Sequence, residues 1–330
     1  MYKRQAQAGW LPDYALFMAL KDEHGGAPWS RWEPPLRRRE PEALAGARAR
    51  LSGDVAFWQG VQYLFFRQWD ALKQYANSRG VRIIGDLPIY AAMDSVDVWA
   101  APGEFQLDGD LRPTEVAGCP PDGFSATGQL WGNPLFDWDA MKQDGYRWWI
   151  RRIRHVCSIY DVVRIDHFRG FAGYYAIPAD SRDAGCGHWR PGPGLSLFTA
   201  VEKALGRQRI IAEDLGFLSE DVHTLLRDTG YPGMKVMEFA FDSRDGGEYR
   251  PHTYPRNCVV YSGTHDNEPL LGWFSTAPAD CVEKAVAYLG LNREEGYHWG
   301  MMRGVWSSVA DLAVVQAQDI LGLGHEARMN

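Results

Sequence analysis

Val162-Val163-Arg164-Ile165-Asp166-His167-Phe168-Arg169 decides the fold. It opens as a short apolar, β-branched run and closes on an arginine and a carboxylate two positions apart. Side chains at i and i+2 of a strand point the same way. Arg164 and Asp166 are therefore expected to share one face at the strand's end. An arginine beside a carboxyl group favours its ionised form and orients it. An ionised, aimed carboxylate is the form that attacks an anomeric carbon in covalent sugar chemistry.

Runs of the same kind recur along the chain: VRIIGDLPIY (81–90), RIIAEDLG (209–216), GMKVMEFAFD (233–242), NCVVYSGTHDN (257–267) and DLAVVQAQD (311–319). Helical patterns such as SLFTAVEKALG and SEDVHTLLRDTG lie between most of them. Continuous apolar runs read as buried parallel strands, and strand–helix alternation predicts an α/β protein. Five of the six runs carry an acid at or just past their C-terminal end, which in a (β/α)8 TIM barrel is the catalytic face. Asp86 and Asp166 are too far apart for one β/α unit, so residues 91–145, rich in Gly and Pro, are read as an inserted subdomain or long loops over the mouth. Helices are expected over 10–23 and 54–79, the second ended by Gly80 at C′. Residues 28–50, rich in Pro, Arg and Glu, read as an exposed connection. The organisation expected is a helical region at 1–80 packed on a catalytic barrel at 81–330. Eight strands close a barrel, so six visible ones predict part of a longer polypeptide.

Composition narrows the function. The 330 residues are 45% hydrophobic, with a net charge of −7. No Lys/Arg stripe exists, since Arg37-Arg38-Arg39 runs straight into Glu40, so nucleic acid is not an expected partner. No run of 18 apolar residues offers a membrane span, and the N-terminal apolar run, broken by Asp13, does not read as a signal peptide. Five cysteines without CxxC spacing suggest reduced thiols and a cytoplasmic location. Aromatic rings are abundant; most are expected in the core, and some suit sugar stacking.

Three acids stand out at strand ends: Asp166, Glu213 and Asp266. Retaining glycoside chemistry needs one carboxylate as nucleophile and one carboxyl as acid, then base; a third can hold sugar hydroxyls. Asp214 fits a helix cap as well as a catalytic role. His167 and His265 each neighbour an acid. Without HxH or HExxH spacing they read as hydrogen-bond donors to sugar hydroxyls rather than metal ligands. No G-x-S-x-G, phosphate loop or G-x-G-x-x-G after a strand is present, so no nucleotide cofactor is expected. The segment 119–138 puts Phe124 and Trp131 beside Gln129 and Asn133, a composition that suits polysaccharide contact or plain anchoring of the loop.

The motifs GDLPIY (85–90), DVWA (97–100), PPDGFSATGQLWGNPL (120–135), VVRIDHFRGF (162–171), IIAEDLG (210–216), MKVMEFAFD (234–242), GTHDNEP (263–269) and DLAVVQAQDILGLGHEARMN (311–330) closely resemble, in order, those of the 4-α-glucanotransferases called amylomaltases. That family sits among the α-amylase-like retaining barrels. The resemblance implies a (β/α)8 barrel with inserted subdomains, strands three to eight being present here, and no metal or other cofactor. It implies Asp166 as nucleophile, Glu213 as acid/base and Asp266 as transition-state stabiliser. Arg164, His265 and Asp86 resemble ligands of the sugar at the cleaved bond. Asp242, Gln129, Trp131 and Asn330 fall on further contact positions, and Phe124 sits in a mobile loop over the cleft. The implied partners are α-1,4-glucans and maltooligosaccharides, with glucose as acceptor. An α-glucan hydrolase and a non-catalytic glucan binder are the alternatives. Two departures from the family pattern are Gly123, where many members have tyrosine, and Glu238, where glutamine is frequent.

Overall fold

The computed structural model describes residues 9–121, 125–216, 218–242 and 247–329. The chain divides into two compact units, Met1–Arg209 and Ile210–Asn330. The first carries β1 (Ile84–Leu87), β2 (Glu115–Cys119), β3 (Gln129–Pro134), β4 (Val162–Ile165), β5 (Gly173–Pro178) and β6 (His188–Pro191). The second carries β7 (Ile210–Ala212), β8 (Gly233–Val236), β9 (Cys258–Tyr261) and β10 (Leu312–Val314). Each of the six apolar runs holds one of these strands.

In the first unit β1 and β4 pair in parallel, with Asp86 opposite Arg164. Gly85 is required by close approach: a Cβ there would sit 2.0 Å from the Tyr160 ring. The Asp161 carboxylate accepts the Ile83 N–H at 2.8 Å and fixes the entry to β1. Helix Arg147–Ile159 buries Trp148, Trp149 and Ile153. Its Arg152 reaches the carbonyls of Ile89 and Pro88 at 2.8 and 2.7 Å, bracing the chain just after β1. Residues 91–145 form part of a subdomain: β2 and β3 join β5 and β6 in an antiparallel sheet ordered β3-β2-β5-β6.

Helix Leu11–Glu23 buries Leu11, Ala15, Leu16, Phe17, Ala19 and Leu20. Helix Ser52–Ser78 ends as expected: Gly80 takes φ +76°, and the N–H groups of Gly80 and Val81 return to the carbonyls of Asn77 and Ala76.

The expectation of an exposed connection over 28–50 is corrected. Helices Pro34–Arg37 and Pro41–Arg50 lie there, and Trp29 and Trp32 are buried. Trp29 Nε1 donates to Met93 O at 2.7 Å, and Trp99 Nε1 to Leu36 O at 3.0 Å. Proline at a first helical turn loses no intrahelical bond and presets φ, so these prolines start helices.

In the second unit β8, β9 and β10 run parallel, with β9 central. A core of Met237, Phe241, Tyr254, Cys258, Val260, Met301, Met302 and Val305 packs beside them. All three residues of β7 are buried, and Ala212 N–H bonds to Pro232 O.

Candidate active site

The β1–β4 register brings three charged side chains together in the first unit. The Arg164 side chain is only 9% exposed, whereas those of Asp86 and Asp166 are 46% and 44% exposed. Arg164 Nη1 donates to both Asp86 oxygens, each at 2.8 Å. Arg164 Nη2 lies 2.9 Å from Asp166 Oδ1. A planar guanidinium can span two carboxylates and hold each in a set direction; a lysine ammonium is a point charge. Asp166 N–H donates to Leu87 O at 2.9 Å, extending the β1–β4 ladder one step past the end of β4. Arg164 and Asp166 therefore meet on one face, as alternation along a strand requires.

His167 then takes φ 50° and ψ 48°, a left-handed conformation uncommon outside glycine. The chain thereby leaves the strand for the 3-10 turn Phe168–Phe171. Phe168 and Phe171 are fully buried, with Phe171 against Trp149 at 5.1 Å and both packed on Phe198 at 5.2 Å. The His167 ring stands edge-on to Trp131, with centroids 4.8 Å apart. Burial, reinforced by Arg169, pushes the His167 imidazole down to about 3. It is neutral at pH 7 and offers one N–H and one lone pair. Trp131 Nε1 donates to Gln129 Oε1 at 3.0 Å, and Tyr90 flanks the indole at 6.1 Å. Gln129, Trp131, His167 and Tyr90 form a polar-edged aromatic wall, to which sequence reasoning contributed all but Tyr90. Phe124 and Gly123 lie outside the described residues.

In the second unit Glu213 follows β7 directly, and its Oε1 accepts the Leu215 N–H at 2.8 Å. Asp214 points elsewhere. Its buried carboxyl accepts the Met234 N–H and packs on Gly233; burial raises its pKa. Ser219, not Asp214, stands at the N-cap of helix Glu220–Thr229, so the capping reading of Asp214 is corrected to a tie between β7 and β8. Asp242 closes the 3-10 turn Met237–Phe241, and its N–H bonds to Phe239 O.

Asp266 sits on the turn after β9. Asn267 Oδ1 accepts from Thr264 N–H and Oγ1 at 2.9 and 2.8 Å, and Asp266 N–H donates to Thr264 Oγ1 at 3.2 Å. His265 Nε2 lies 3.4 Å from Asp266 Oδ2, with both side chains exposed. Asn330 lies outside the described residues.

Sequence reasoning missed the support beneath this turn. Arg328 Nη2 donates to Asp266 O and Nη1 to Glu268 Oε1, both at 2.9 Å. Gln316 Nε2 donates to Thr264 O at 2.7 Å. Buried Asp319 accepts from Ser262 Oγ at 2.6 Å and from Leu270 N–H at 2.7 Å. Glu238 lies 5% exposed in the same layer. Among the described residues no three His, Cys, Asp or Glu side chains converge as a metal site.

Comparison with known proteins places this chain in a family. A family model described as 4-alpha-glucanotransferase matches residues 2–330. Curated relatives called 4-alpha-glucanotransferase include those of Clostridium butyricum, 47% identical over 97% of this chain and 66% of its own length, and of Synechocystis, 50% identical over 99% and 65%. That of Thermus thermophilus is 49% identical over 99% and 67%. The chain thus spans about two thirds of the length of the curated relatives it matches. The structure of an amylomaltase from Streptococcus agalactiae in complex with acarbose superposes with a TM-score of 0.96 at 41% identity, covering all of this chain and 67% of that one. The amylomaltase of Corynebacterium glutamicum shares the fold at a TM-score of 0.73 and 20% identity. The fold class is the α/β TIM-barrel class expected from the strand-end acids.

Proposed function

Because the chain belongs to the 4-alpha-glucanotransferase family, we propose that it moves a segment of a 1,4-α-D-glucan onto the 4-hydroxyl of glucose or a maltodextrin by retaining double displacement. The observation that carries this reading is the Arg164 fork, which aims Asp166 from the end of a parallel strand. Asp166 attacks the anomeric carbon while protonated Glu213 donates its proton to the departing glycosidic oxygen. A β-linked glycosyl ester forms on Asp166, and the reducing-side fragment leaves. Glu213, now ionised, takes the proton from an acceptor 4-hydroxyl, whose oxygen displaces Asp166 and restores an α-1,4 bond. Asp266 steadies the oxocarbenium-like transition state. Asp86, Arg164 and His265 bind hydroxyls around the cleaved bond, and Asp242 is a further substrate contact. Gln129, Trp131 and His167 supply a wall on which a sugar face stacks. Phe124 and Asn330 are assigned as further contacts from their motif positions alone. No metal or organic cofactor takes part.

Five free cysteines fit a reducing, cytoplasmic setting, in which maltodextrin recycling is the process this activity serves. Among the described residues no helix is long and apolar enough to cross a membrane.

The test is Asp166→Asn and Glu213→Gln in the native polypeptide, incubated with maltotriose. The unaltered protein is expected to give glucose and a ladder of longer maltodextrins. Each variant is expected to lose about 10³-fold or more of that rate. Near-normal glucose release by either variant overturns the assignment, and shorter products without a ladder indicate a hydrolase.

A further inference from the structure

Glu238 is the second residue of the 3-10 turn Met237–Phe241 that follows β8, and its backbone N–H points to Ser262 O at 3.4 Å. Its carboxyl is buried near the turn that carries Asp266, and among the described residues Glu238 Oε1 has no hydrogen-bond partner. A Cβ built on Gly263 would lie 3.0 Å from Glu238 Oε1 and 3.0 Å from Gln316 Nε2. The carboxyl and the amide therefore both occupy the space into which a side chain at Gly263 would project. Gln316 in turn holds Thr264 O, and its own N–H donates to Ser262 Oγ at 3.3 Å.

The charged groups nearest this carboxyl are two acids, Asp319 and Glu268, opposed by Arg328. Asp319 lies on the helix after β10, with both oxygens engaged. Glu268 lies beyond the turn, and Arg328 and His325 reach Glu268 from the C-terminal segment. Arg328 is thus already shared between Glu268 and Asp266 O. A buried carboxylate oxygen without a donor, beside two further acids, is costly in its ionised form. A neutral carboxyl at the same place fills the space without that cost.

We propose that Glu238 is a positioning residue for Asp266: its uncharged carboxyl packs beneath Ser262–Gly263 and keeps the 262–267 turn in shape, and charging it loosens that turn. The proposal rests on the role given to Asp266 above.

Burial, then Asp319 and Glu268, push the Glu238 carboxyl up to about 9. The sign follows from linkage. A carboxyl with a raised folded pKa binds its proton more tightly in the folded protein. Its stabilisation is complete below the unfolded pKa near 4.5 and is lost as pH rises toward 9.

Glu238→Gln keeps the shape and removes the titration. The experiment compares the unaltered protein with E238Q from pH 5 to 10 by thermal unfolding and by amide hydrogen exchange of residues 262–267. The midpoints are expected to coincide at pH 5, with E238Q higher by roughly 5 °C or more at pH 9. Exchange of the 262–267 amides in the unaltered protein is expected to outrun its intrinsic tenfold-per-unit rise above pH 8, whereas E238Q follows the intrinsic slope. Where transfer is measurable, the alkaline loss of kcat is expected to move upward in E238Q with KM unchanged. Parallel exchange profiles, or a midpoint difference independent of pH, overturn the proposal. If neither protein transfers glucan, the functional reading fails, and the exchange comparison still decides what Glu238 does.

Discussion

At the scale of single residues, the site turns on a guanidinium shared by two carboxylates. Arg164→Lys keeps the charge but cannot contact Asp86 through both oxygens and Asp166 at once. Transfer activity is expected to fall about 10²-fold, because misplacing the attacking oxygen by about 1 Å is enough for that. The urea midpoint is expected to report only about 1–2 kcal/mol, since both carboxylates remain near water. An Arg164→Lys protein with full transferase activity shows that the fork is not needed for attack. This pair was legible because strand alternation is a local rule, and i, i+2 needs no tertiary information. Glu238 was legible only as a departure from a family pattern. Its burial, and the nearness of Asp319 from a distant part of the chain, are set by the packing of β8, β9 and β10, which no local pattern encodes. Asp214 misled for the related reason that an acid after a strand looks the same whether it caps a helix or ties two strands.

At the scale of elements, all six apolar runs hold strands because their signal is strong: continuous β-branched and aliphatic residues bounded by polar turns. Residues 28–50 look exposed in sequence because proline and charge suggest it, yet proline equally begins helices, and Trp29 and Trp32 anchor the segment in the core. The antiparallel sheet of β2, β3, β5 and β6 was not legible, since glycine-rich segments hide their pairing until a partner strand is known. Gly85 gives a direct test of how tightly β1 is seated. Gly85→Ala drives a methyl group into the Tyr160 ring, which is already held edge-on to Trp69 at 5.6 Å. A loss of about 1–3 kcal/mol is expected in chemical denaturation. Adding Tyr160→Ala is expected to make the Gly85→Ala step nearly neutral, because the clash is gone. An unchanged penalty in the Tyr160→Ala background shows that backbone conformation, not the ring, requires glycine.

At the scale of the whole molecule, the outstanding surface is helix Ser52–Ser78. None of its described side chains is buried, and Phe57, Leu64, Phe65, Leu72 and Tyr75 are each about half exposed or more. Positions 57, 64, 65, 72 and 75 fall on one stripe at helical spacing. Five large, half-exposed side chains in line make an apolar stripe along this helix, the kind of surface that can mark an association site. A 330-residue polypeptide of this sequence is therefore expected to self-associate through the stripe. Light scattering after size exclusion should give a mass above the 37.3 kDa of one chain, increasing with concentration. Leu64→Gln with Leu72→Gln should shift it toward the monomer and reduce binding of an apolar dye. The unfolding midpoint should barely change, since neither side chain contributes to a core. A monodisperse 37.3 kDa species for the unaltered sequence at high concentration, with no dye binding, shows that the stripe is tolerated in water.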